Sequence, residues 1–260
     1  MLQKIDTNYN MFTGPNIIRD GLVFALDAAN TKSYPGSGTT WNDLSGNGNN
    51  GTLTNGPTFN SNRLGRLLFD GTNEHVRPSV EINLQPPWTQ KIIYKNLEST
   101  STTAFRASVH GNSSTSRPGF IRIYNDISGS NARIRILLYY QNSAGNWRFF
   151  SDYVGPFGSS YVSFAQQDSF WVNNIIDLTI TCSTNNIYRY YINGELVFTR
   201  NRSTSGDLNN GLRINRIGAR GTGTAEPLNG YIYMSKFYNR ELTSDEVHQD
   251  FNATKSRYGL

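Results

Sequence analysis

The sequence contains a single clear helix signal, and it lies near the C-terminal end. Gly230–Tyr238 is dense in aromatic and β-branched residues, which predicts a strand. Shortly after it, Thr243 and Glu246 have the spacing of a capping box, and Gly259 is the expected helix stop. No comparable pattern occurs elsewhere in the sequence, so we predict an all-β protein with one short C-terminal helix.

The remainder of the chain consists of strand-like runs separated by turns rich in Gly, Asn, Ser and Pro. The first predicted strand is Gly21–Asp27, and about a dozen strands are predicted in all. Asn193 and Gly194 lie between two such runs and predict a tight hairpin, because both central residues of that turn need a positive φ. Many short strands with one helix are typical of a two-sheet antiparallel jelly-roll β-sandwich.

Length and composition agree with a single sandwich domain. A chain of 260 residues can bury one large core, and 13% aromatic with 17% charged residues is unlike a disordered chain. We assign residues 20–260 to the sandwich and residues 1–19 to an extended N-terminal arm, because that segment is polar and has no periodic pattern. We expect the arm to dock into a neighbouring subunit.

The sequence also disfavours several locations and partners. No apolar run approaches the ~18 residues of a membrane span, and the N-terminus lacks a signal-peptide pattern. The single cysteine, Cys182, alternates with apolar residues and is expected in the core. The net charge of +5 includes arginines scattered at strand spacing, which indicates solvated sheet faces and no specific nucleic-acid binding.

Several passages of the sequence point to one family. They are DGLVFALDAAN from Asp20, WNDLSGNGNNGTL from Trp41, FDGTNEHV from Phe69, YINGELV from Tyr191 and NGYIYMSKFYNRELTSDEV from Asn229. Together they resemble the concanavalin A-like lectin/glucanase superfamily, and within it the laminin-G-like jelly rolls of phage structural proteins. The resemblance implies that the first and last strands share a sheet. It also implies that loops after the first strand and around the concave sheet carry any ligand.

Motifs for catalysis are weak. Gly46, Gly48 and Gly51 spell a dinucleotide-binding pattern, but no helix signal follows, so these glycines are expected to serve turns. The closely spaced carboxylates that a glucanase of this superfamily would carry are absent. The three histidines stand apart from any second zinc ligand. We therefore predict no catalytic residue.

Calcium is the cofactor that the resemblance implies, because laminin-G-like domains often bind it through Asp, Asn and carbonyl oxygens. On that basis Asp43, Asp70 and Asn73 are the candidate ligands. One carboxylate from each of two loops would give weak binding at best. The favoured alternative is that Asp43 and Asp70 hydrogen-bond their own turns.

Tryptophan is the residue type most suited to stacking on a sugar ring. Trp41 lies in a polar loop and Trp147 follows a Gly-Asn pair, so these two are the candidate glycan-binding residues. The alternative is that each packs at an edge of the sandwich.

The sequence as a whole, with its family resemblance, predicts a non-catalytic phage virion protein. It would decorate a capsid or form part of a tail or fibre, as a homo-oligomer that contacts other virion proteins through the arm, with host or environmental glycans as further partners. The alternative hypothesis is a stand-alone carbohydrate-binding module. A glycan hydrolase with carboxylates distant in sequence is the least favoured.

Overall fold

The computed structural model describes residues 16–62, 65–97, 106–111, 121–128, 131–141, 147–153, 173–201, 212–219 and 227–260. Between residues 106 and 153 it describes the backbone of the strands and, among their side chains, that of His110. The first ten strands are β1 (Leu22–Asp27), β2 (Thr40–Trp41), β3 (Gly51–Thr54), β4 (Thr58–Asn60), β5 (Arg66–Asp70), β6 (His75–Pro78), β7 (Ile82–Leu84), β8 (Trp88–Asn96), β9 (Arg106–Gly111) and β10 (Ile121–Ser128). The next eight are β11 (Asn131–Gln141), β12 (Trp147–Tyr153), β13 (Ile175–Cys182), β14 (Ile187–Ile192), β15 (Glu195–Asn201), β16 (Leu212–Ile214), β17 (Arg216–Ile217) and β18 (Asn229–Tyr238).

The strands form two large antiparallel sheets. Sheet A has the order β15-β14-β13-β8-β18-β5-β4, and β1 pairs with β18 beside this path. Sheet B has the order β12-β11-β10-β9-β17-β6-β3-β2, and β7 pairs with β16 in a separate two-stranded sheet. This arrangement confirms the predicted all-β, two-sheet sandwich.

The first and last strands share sheet A, as the resemblance implied, and they pair directly with each other. Phe24 lies opposite Phe237, and Asp27 lies opposite Met234, in an antiparallel ladder. The hairpin prediction is also confirmed, because Asn193 and Gly194 have φ values of 51° and 82° between β14 and β15.

The main core lies between the sheets, and period-2 alternation along each strand determines which side chains enter it. On β8, Ile92 and Tyr94 belong to this core, whereas Ile93 packs in a separate cluster on the opposite face of sheet A. Cys182 is fully buried in the main core, as predicted. Burial raises the pKa of the Cys182 thiol to about 12, which keeps it protonated at neutral pH.

The predicted single helix is two helices, α1 (Ser244–Asn252) and α2 (Lys255–Tyr258). The capping box is present, since Thr243 Oγ1 accepts from the Glu246 N–H and Glu246 Oε2 accepts from the Thr243 N–H. The break occurs at Thr254, whose hydroxyl donates to the Asp250 and Phe251 carbonyls. A side chain that bonds to these carbonyls competes with continuation of the helix.

Both helices cover the outer face of sheet A. Leu242, just before α1, and Val247 within α1 pack with Tyr191 and Tyr238 of sheet A. On α2, the Tyr258 ring lies edge-on to a tyrosine of β18, Tyr233, with ring centroids 5.3 Å apart. The central strands β8 and β18 are therefore buried on both faces.

The last residues of the predicted arm dock on the protein's own helix. Ile18 is buried, its N–H donates to Asp250 Oδ1 (3.3 Å), and its carbonyl accepts from the Tyr238 hydroxyl (3.2 Å). Gln249 Nε2 also donates to the Asn16 carbonyl. Asn16 and Ile18 thus contact α1 and β18 of their own chain, and docking of the arm into a neighbouring subunit stays a prediction. Residues 1–15 lie outside the described residues, and the assignment of a domain boundary at residue 20 stays a prediction.

Candidate functional site

A cleft of about 380 Å³ opens on the outer face of sheet A, beside α2. Four strands of sheet A (β5, β18, β8 and β13) and nearby turns supply one wall, and the end of α2 supplies the other. We name it the basic cleft, and its described polar lining residues are Arg66, Lys95, Asn173, Asn174, Asn193, Tyr233 and Tyr258.

Strand register brings Lys95 to the middle of the basic cleft. Its Cα lies opposite that of Ile175 on β13 and, on the other side, opposite that of Tyr231 on β18. Alternation along β8 places Lys95 on the same outer face as Ile93. The side chain is partly exposed, so its charge borders the cleft without being buried.

Arg66, the first residue of β5, is held by two tyrosines. Its guanidinium carbon lies 3.9 Å from the centroid of the Tyr231 ring, a cation–π contact. Its Nη1 donates to the Tyr233 hydroxyl at 3.3 Å. Its Nε is buried and has no hydrogen-bond partner among the described residues, so the guanidinium keeps hydrogen-bonding capacity that these residues do not use.

Three asparagines border the cleft at turns. Asn173 and Asn193 both have positive φ, a conformation that asparagine tolerates better than most residues. Asn193 Oδ1 accepts from the Asp177 N–H at 3.0 Å, which fixes the orientation of its amide group. Asn173 and Asn174 are exposed. Amide groups of this kind both donate to and accept from ligand hydroxyls.

The described lining residues of the basic cleft include two cationic side chains, Arg66 and Lys95, and no Asp or Glu is among those described residues. A second cleft of about 330 Å³ is lined by Arg19, Lys32, Arg257 and Asp27, among others. There Arg257 Nη1 pairs with Asp27 Oδ2 at 2.9 Å, so that cleft carries its own counter-charge.

The structure corrects the prediction for Trp41. Its side chain is fully buried in the main core, where Leu26 and Val76 also pack. The polar loop that follows Trp41 in the sequence does not carry the ring to the surface, because β2 pairs with β3 at the edge of sheet B. Trp41 therefore offers no ring face to a sugar. Trp147 opens β12 opposite Gln141, and its side chain lies outside the described residues.

The Asp43 carboxylate accepts hydrogen bonds from its own loop and from β1. Its Oδ1 accepts from the N–H groups of Ala25 and Ser45, and its Oδ2 accepts from the Ser45 hydroxyl and the Asn49 N–H. Four donated hydrogen bonds leave this carboxylate poorly placed to bind a cation. Gly46 and Gly48 in the same loop have positive φ and lead to a strand rather than a helix, so they serve turns as predicted.

Asp70 and Asn73 share a different turn, after β5. Asp70 Oδ1 accepts from the Thr72 N–H, and the Asn73 carbonyl accepts from Asn55 Nδ2. Glu74 also lies in this turn and accepts from the Asp70 N–H at 2.6 Å. Among the described residues, no group of three or more His, Cys, Asp or Glu could hold a metal ion. Both carboxylate oxygens of Asp43, Oδ1 of Asp70 and the main-chain carbonyl of Asn73 accept hydrogen bonds within the protein, and Asp43 lies in a different loop from the other two, so as placed these residues fit calcium poorly.

A buried charge cluster lies beneath α1, and sequence reasoning missed it. Lys91 contacts Asp177 (2.8 Å) and Asp250 (2.9 Å), and Lys236 contacts Asp250 (2.8 Å); all four side chains are at most 3% exposed. Burial alone would raise the pKa of Asp250, but Lys236 and Lys91 hold it well below its usual range. A cluster closed to solvent cannot contact a ligand, so it stabilises the fold.

His110 is a second buried polar group, placed between the sheets. Its Nε2 lies 2.9 Å from Ser235 Oγ and its Nδ1 lies 3.3 Å from Gln90 Oε1. Burial lowers the pKa of His110 to about 3, so the imidazole is neutral at physiological pH. The ring also packs on Phe237, with centroids 4.7 Å apart. It therefore links sheet B to sheet A from inside the core.

No helix among the described residues has the length and apolar character needed to cross a bilayer. A comparison with curated proteins gives no match. The solved structures that match include the receptor-binding domain of botulinum neurotoxin type G, with 15% identity and a TM-score of 0.55 over 90% of this chain and 52% of that chain.

Two further solved structures have the same fold. The binding domain of Paraclostridial Mosquitocidal Protein 1 is 18% identical, with a TM-score of 0.57 over 90% of this chain and 52% of that one. The ligand-binding domain of botulinum neurotoxin serotype D, in complex with N-acetylneuraminic acid, is 13% identical, with a TM-score of 0.61 over 91% and 52%. The chain thus spans about half the length of the solved chains it matches.

The family model described as the concanavalin A-like lectin/glucanases superfamily, of laminin G type, matches residues 89–248. The match runs from β8 into α1. It includes Lys91, Asp177 and Lys236 of the buried charge cluster but ends before Asp250, and it includes most of the described lining of the basic cleft. It covers more than half of the chain, and the protein belongs to this superfamily.

Proposed function

We propose that this protein is a non-catalytic glycan-binding module with a lectin-like fold, and that it serves as a structural component of a phage virion. The observation that carries glycan binding is the basic cleft, which combines Arg66 and Lys95 with three asparagines. Amides and cations at the edge of a rigid sheet are suited to recognising the hydroxyl and charged groups of a sugar.

The comparisons support a binding role. The superfamily includes lectins, and the solved structures named above are receptor-binding, ligand-binding or simply binding domains by their titles. The serotype D domain was solved with N-acetylneuraminic acid, a sugar. These similarities concern the fold alone. The proposal that this chain binds a ligand therefore depends on the basic cleft.

The lining of the cleft supports a non-catalytic role. Glycoside hydrolysis typically needs two carboxylates that flank the scissile bond, one as acid and one as base or nucleophile. No Asp or Glu is among the described residues that line the basic cleft. Of the described carboxylates near the helix entry, Glu246 pairs with Arg240 at 2.7 Å and Glu241 pairs with Arg189. These carboxylates are therefore engaged in holding the helix and strands together.

The virion role rests on the passages that resemble phage structural proteins, and we place other virion proteins and further copies of this chain among its partners. Capsid decoration and a tail or fibre position are both compatible with the fold. Residues 1–15 remain the proposed contact to a neighbour. One observation favours the alternative of a stand-alone carbohydrate-binding module, namely that Asn16 and Ile18 dock on the protein's own helix.

A glycan array tests the binding function. We expect the purified chain to bind a subset of glycans, and to release no reducing sugar from the polysaccharides that carry them. If the chain bound no glycan on the array, the glycan-binding proposal would be rejected. If it released reducing sugar, the proposal that it is non-catalytic would be rejected.

Mass spectrometry of purified particles tests the virion role. We expect peptides of this chain in density-purified particles, and a loss of incorporation when residues 1–15 are deleted. Particles that contain none of the chain would leave the stand-alone module as the supported reading.

A further inference from the structure

We propose that the second cleft receives the N-terminal arm of a second copy of this chain, and that two copies exchange their arms in a symmetric dimer. This inference rests on the proposed contact of residues 1–15 with a neighbour, and it names both the neighbour and the surface that receives the arm. The second cleft has a volume of about 330 Å³ and lies over β1 and β18 of sheet A.

The floor of the second cleft is apolar. Its lining includes Leu22 and Ala25 of β1, Met234 of β18, and Ile17 and Leu44 from neighbouring segments. Ile17, Leu22 and Leu44 are half-buried, so each keeps apolar surface that a docked side chain would remove from water. The floor therefore favours an occupant with apolar side chains.

The rim of the second cleft carries two exposed cations, Arg19 and Lys32. Neither forms an ion pair with any described residue, whereas Arg257, deeper in the cleft, pairs with Asp27 at 2.9 Å. Complementary charges at a rim orient a partner more than they add affinity. The rim therefore favours an occupant with a carboxylate beside its apolar side chains.

The sequence of the arm provides such an occupant. Within the mostly polar residues 1–15, Ile5 and Phe12 are among the apolar side chains, and Asp6 is the one acidic residue. Successive side chains of an extended segment point in opposite directions. Ile5 can therefore face the floor of the cleft while Asp6 faces the cations of its rim.

The point where the arm leaves the fold lies beside the second cleft. Ile17 and Arg19 line the cleft, and the carbonyl of Asn16, an exposed residue, is held by Gln249 of α1. An extended segment of the length of residues 1–15 spans up to about 50 Å, which is enough to reach a facing copy. Since exit and cleft adjoin in each copy, a twofold axis that brings one arm to the partner's cleft also brings the partner's arm to the first. Such an exchange closes as a dimer.

Analytical ultracentrifugation of the full chain and of charge-reversal variants tests the inference. We expect the parent chain to form a dimer. Asp6→Lys, and separately the double variant Arg19→Glu/Lys32→Glu, should each weaken the dimer about tenfold or more, because like charges then meet at the rim. An equimolar mixture of the two variants should form a heterodimer, because each arm then meets a cleft of opposite charge. An arm that folds back on its own cleft would give no such recovery.

A variant of the apolar floor gives a second measurement. Leu44→Asp places a charge on the floor and should weaken the dimer about tenfold or more, since burial of an apolar side chain contributes more than an exposed ion pair. Val80→Asp is the matched control, because it introduces the same charge at an apolar position that is 51% exposed and lies outside the second cleft. It should leave the dissociation constant of the dimer unchanged. If Leu44→Asp fails to fold, the mixture of charge-reversal variants alone decides.

Three outcomes would overturn the inference: a monomeric parent chain, charge-reversal variants that dimerise as the parent does, and monomeric variants whose mixture forms no heterodimer. The glycan array and the analysis of purified particles test the proposed function separately. If the parent chain is monomeric but deletion of residues 1–15 abolishes incorporation into particles, the arm contacts another virion protein, and the proposed function stands without the exchange. If particles contain none of the chain, the virion role falls even where the dimer forms.

Discussion

Lys91 and Lys236 lie directly opposite each other on β8 and β18, and both of their ammonium groups contact the carboxylate of Asp250. Like charges that face each other across a ladder destabilise a sheet. Here a single aspartate of α1 neutralises both, and Asp177 pairs with Lys91 from the next strand. The helix is therefore joined to the centre of sheet A by charge as well as by apolar contact.

Replacing Asp250 with asparagine tests this relationship. Asp250→Asn leaves two buried lysines opposite each other with one remaining carboxylate, and we expect the free energy of unfolding to fall by about 3–5 kcal/mol. Urea denaturation followed by circular dichroism measures the change. Asp245→Asn, at an exposed position in the first turn of the same helix, should cost less than about 1 kcal/mol. Similar losses in the two variants would contradict the assignment.

His110 predicts a specific pH dependence. Its pKa is about 3 in the folded protein and about 6.5 when unfolded, so the unfolded chain binds an extra proton between these values. Its contribution to stability is complete above pH 6.5 and is lost as the pH falls, by about 1.4 kcal/mol per unit. Urea midpoints at pH 7.5 and pH 5.0 measure the loss.

His110→Gln should reduce that pH dependence by about 2 kcal/mol between the two pH values. His248→Gln, the same substitution at an exposed position of α1, serves as the matched control. An unchanged slope in His110→Gln would show that another group is responsible.

The contribution of the capping box to the stability of the protein can be measured separately. Thr243→Ala removes the hydroxyl that accepts from the Glu246 N–H, and we expect a loss of about 1 kcal/mol. For a domain of this size that corresponds to roughly 2–4 °C in the melting temperature. Thr243→Ser keeps the acceptor and should melt within about 1 °C of the parent protein.

The Asn193-Gly194 turn contacts α1, so we expect an alanine substitution to destabilise the protein more at Gly194 than at Gly38, which has no neighbour in the way. A Cβ on Gly194 would lie 2.7 Å from Phe251, whereas a Cβ on Gly38 would meet nothing within 4 Å. Both residues have positive φ, so each alanine variant should lose about 1–2 kcal/mol from backbone strain. Gly194→Ala should lose a further ~1–3 kcal/mol from the steric conflict. Equal melting temperatures for the two variants would contradict the role of Phe251.

Calcium removal gives a further expectation. Both oxygens of Asp43 accept hydrogen bonds within the protein, and Asp70 and Asn73 lie in a different loop, so we expect the same melting temperature in 5 mM CaCl₂ and in 5 mM EDTA, within about 1 °C. A rise of several degrees in calcium would show that these loops rearrange to bind the ion.

Local patterns in the sequence predicted the local structure well. The capping box at Thr243 and the turn at Asn193 are both present, because each depends on residues within a few positions of one another. The helix break at Thr254 was missed, since a hydroxyl that bonds to the Asp250 carbonyl gives no periodic signal.

The candidate site could not be predicted in the same way. Arg66 and Lys95 become neighbours of one cleft only through the pairing of β18 with β5 and β8. The polar context of Trp41 suggested exposure, but strand pairing at the edge of sheet B buries the ring. The grouping of Arg66 with Lys95 and the burial of Trp41 both depend on how strands distant in sequence pair. A short stretch of sequence carries no information about that pairing.

The position of Asp250 in the chain has a consequence for synthesis. β18 and the aspartate that neutralises Lys236 are made more than two hundred residues after β1, the strand with which β18 pairs. Until Asp250 has been made, Lys236 cannot enter the interior without a large desolvation penalty. Sheet A can therefore close only after translation of α1, and ribosome-bound chains should stay sensitive to protease until that helix has left the exit tunnel.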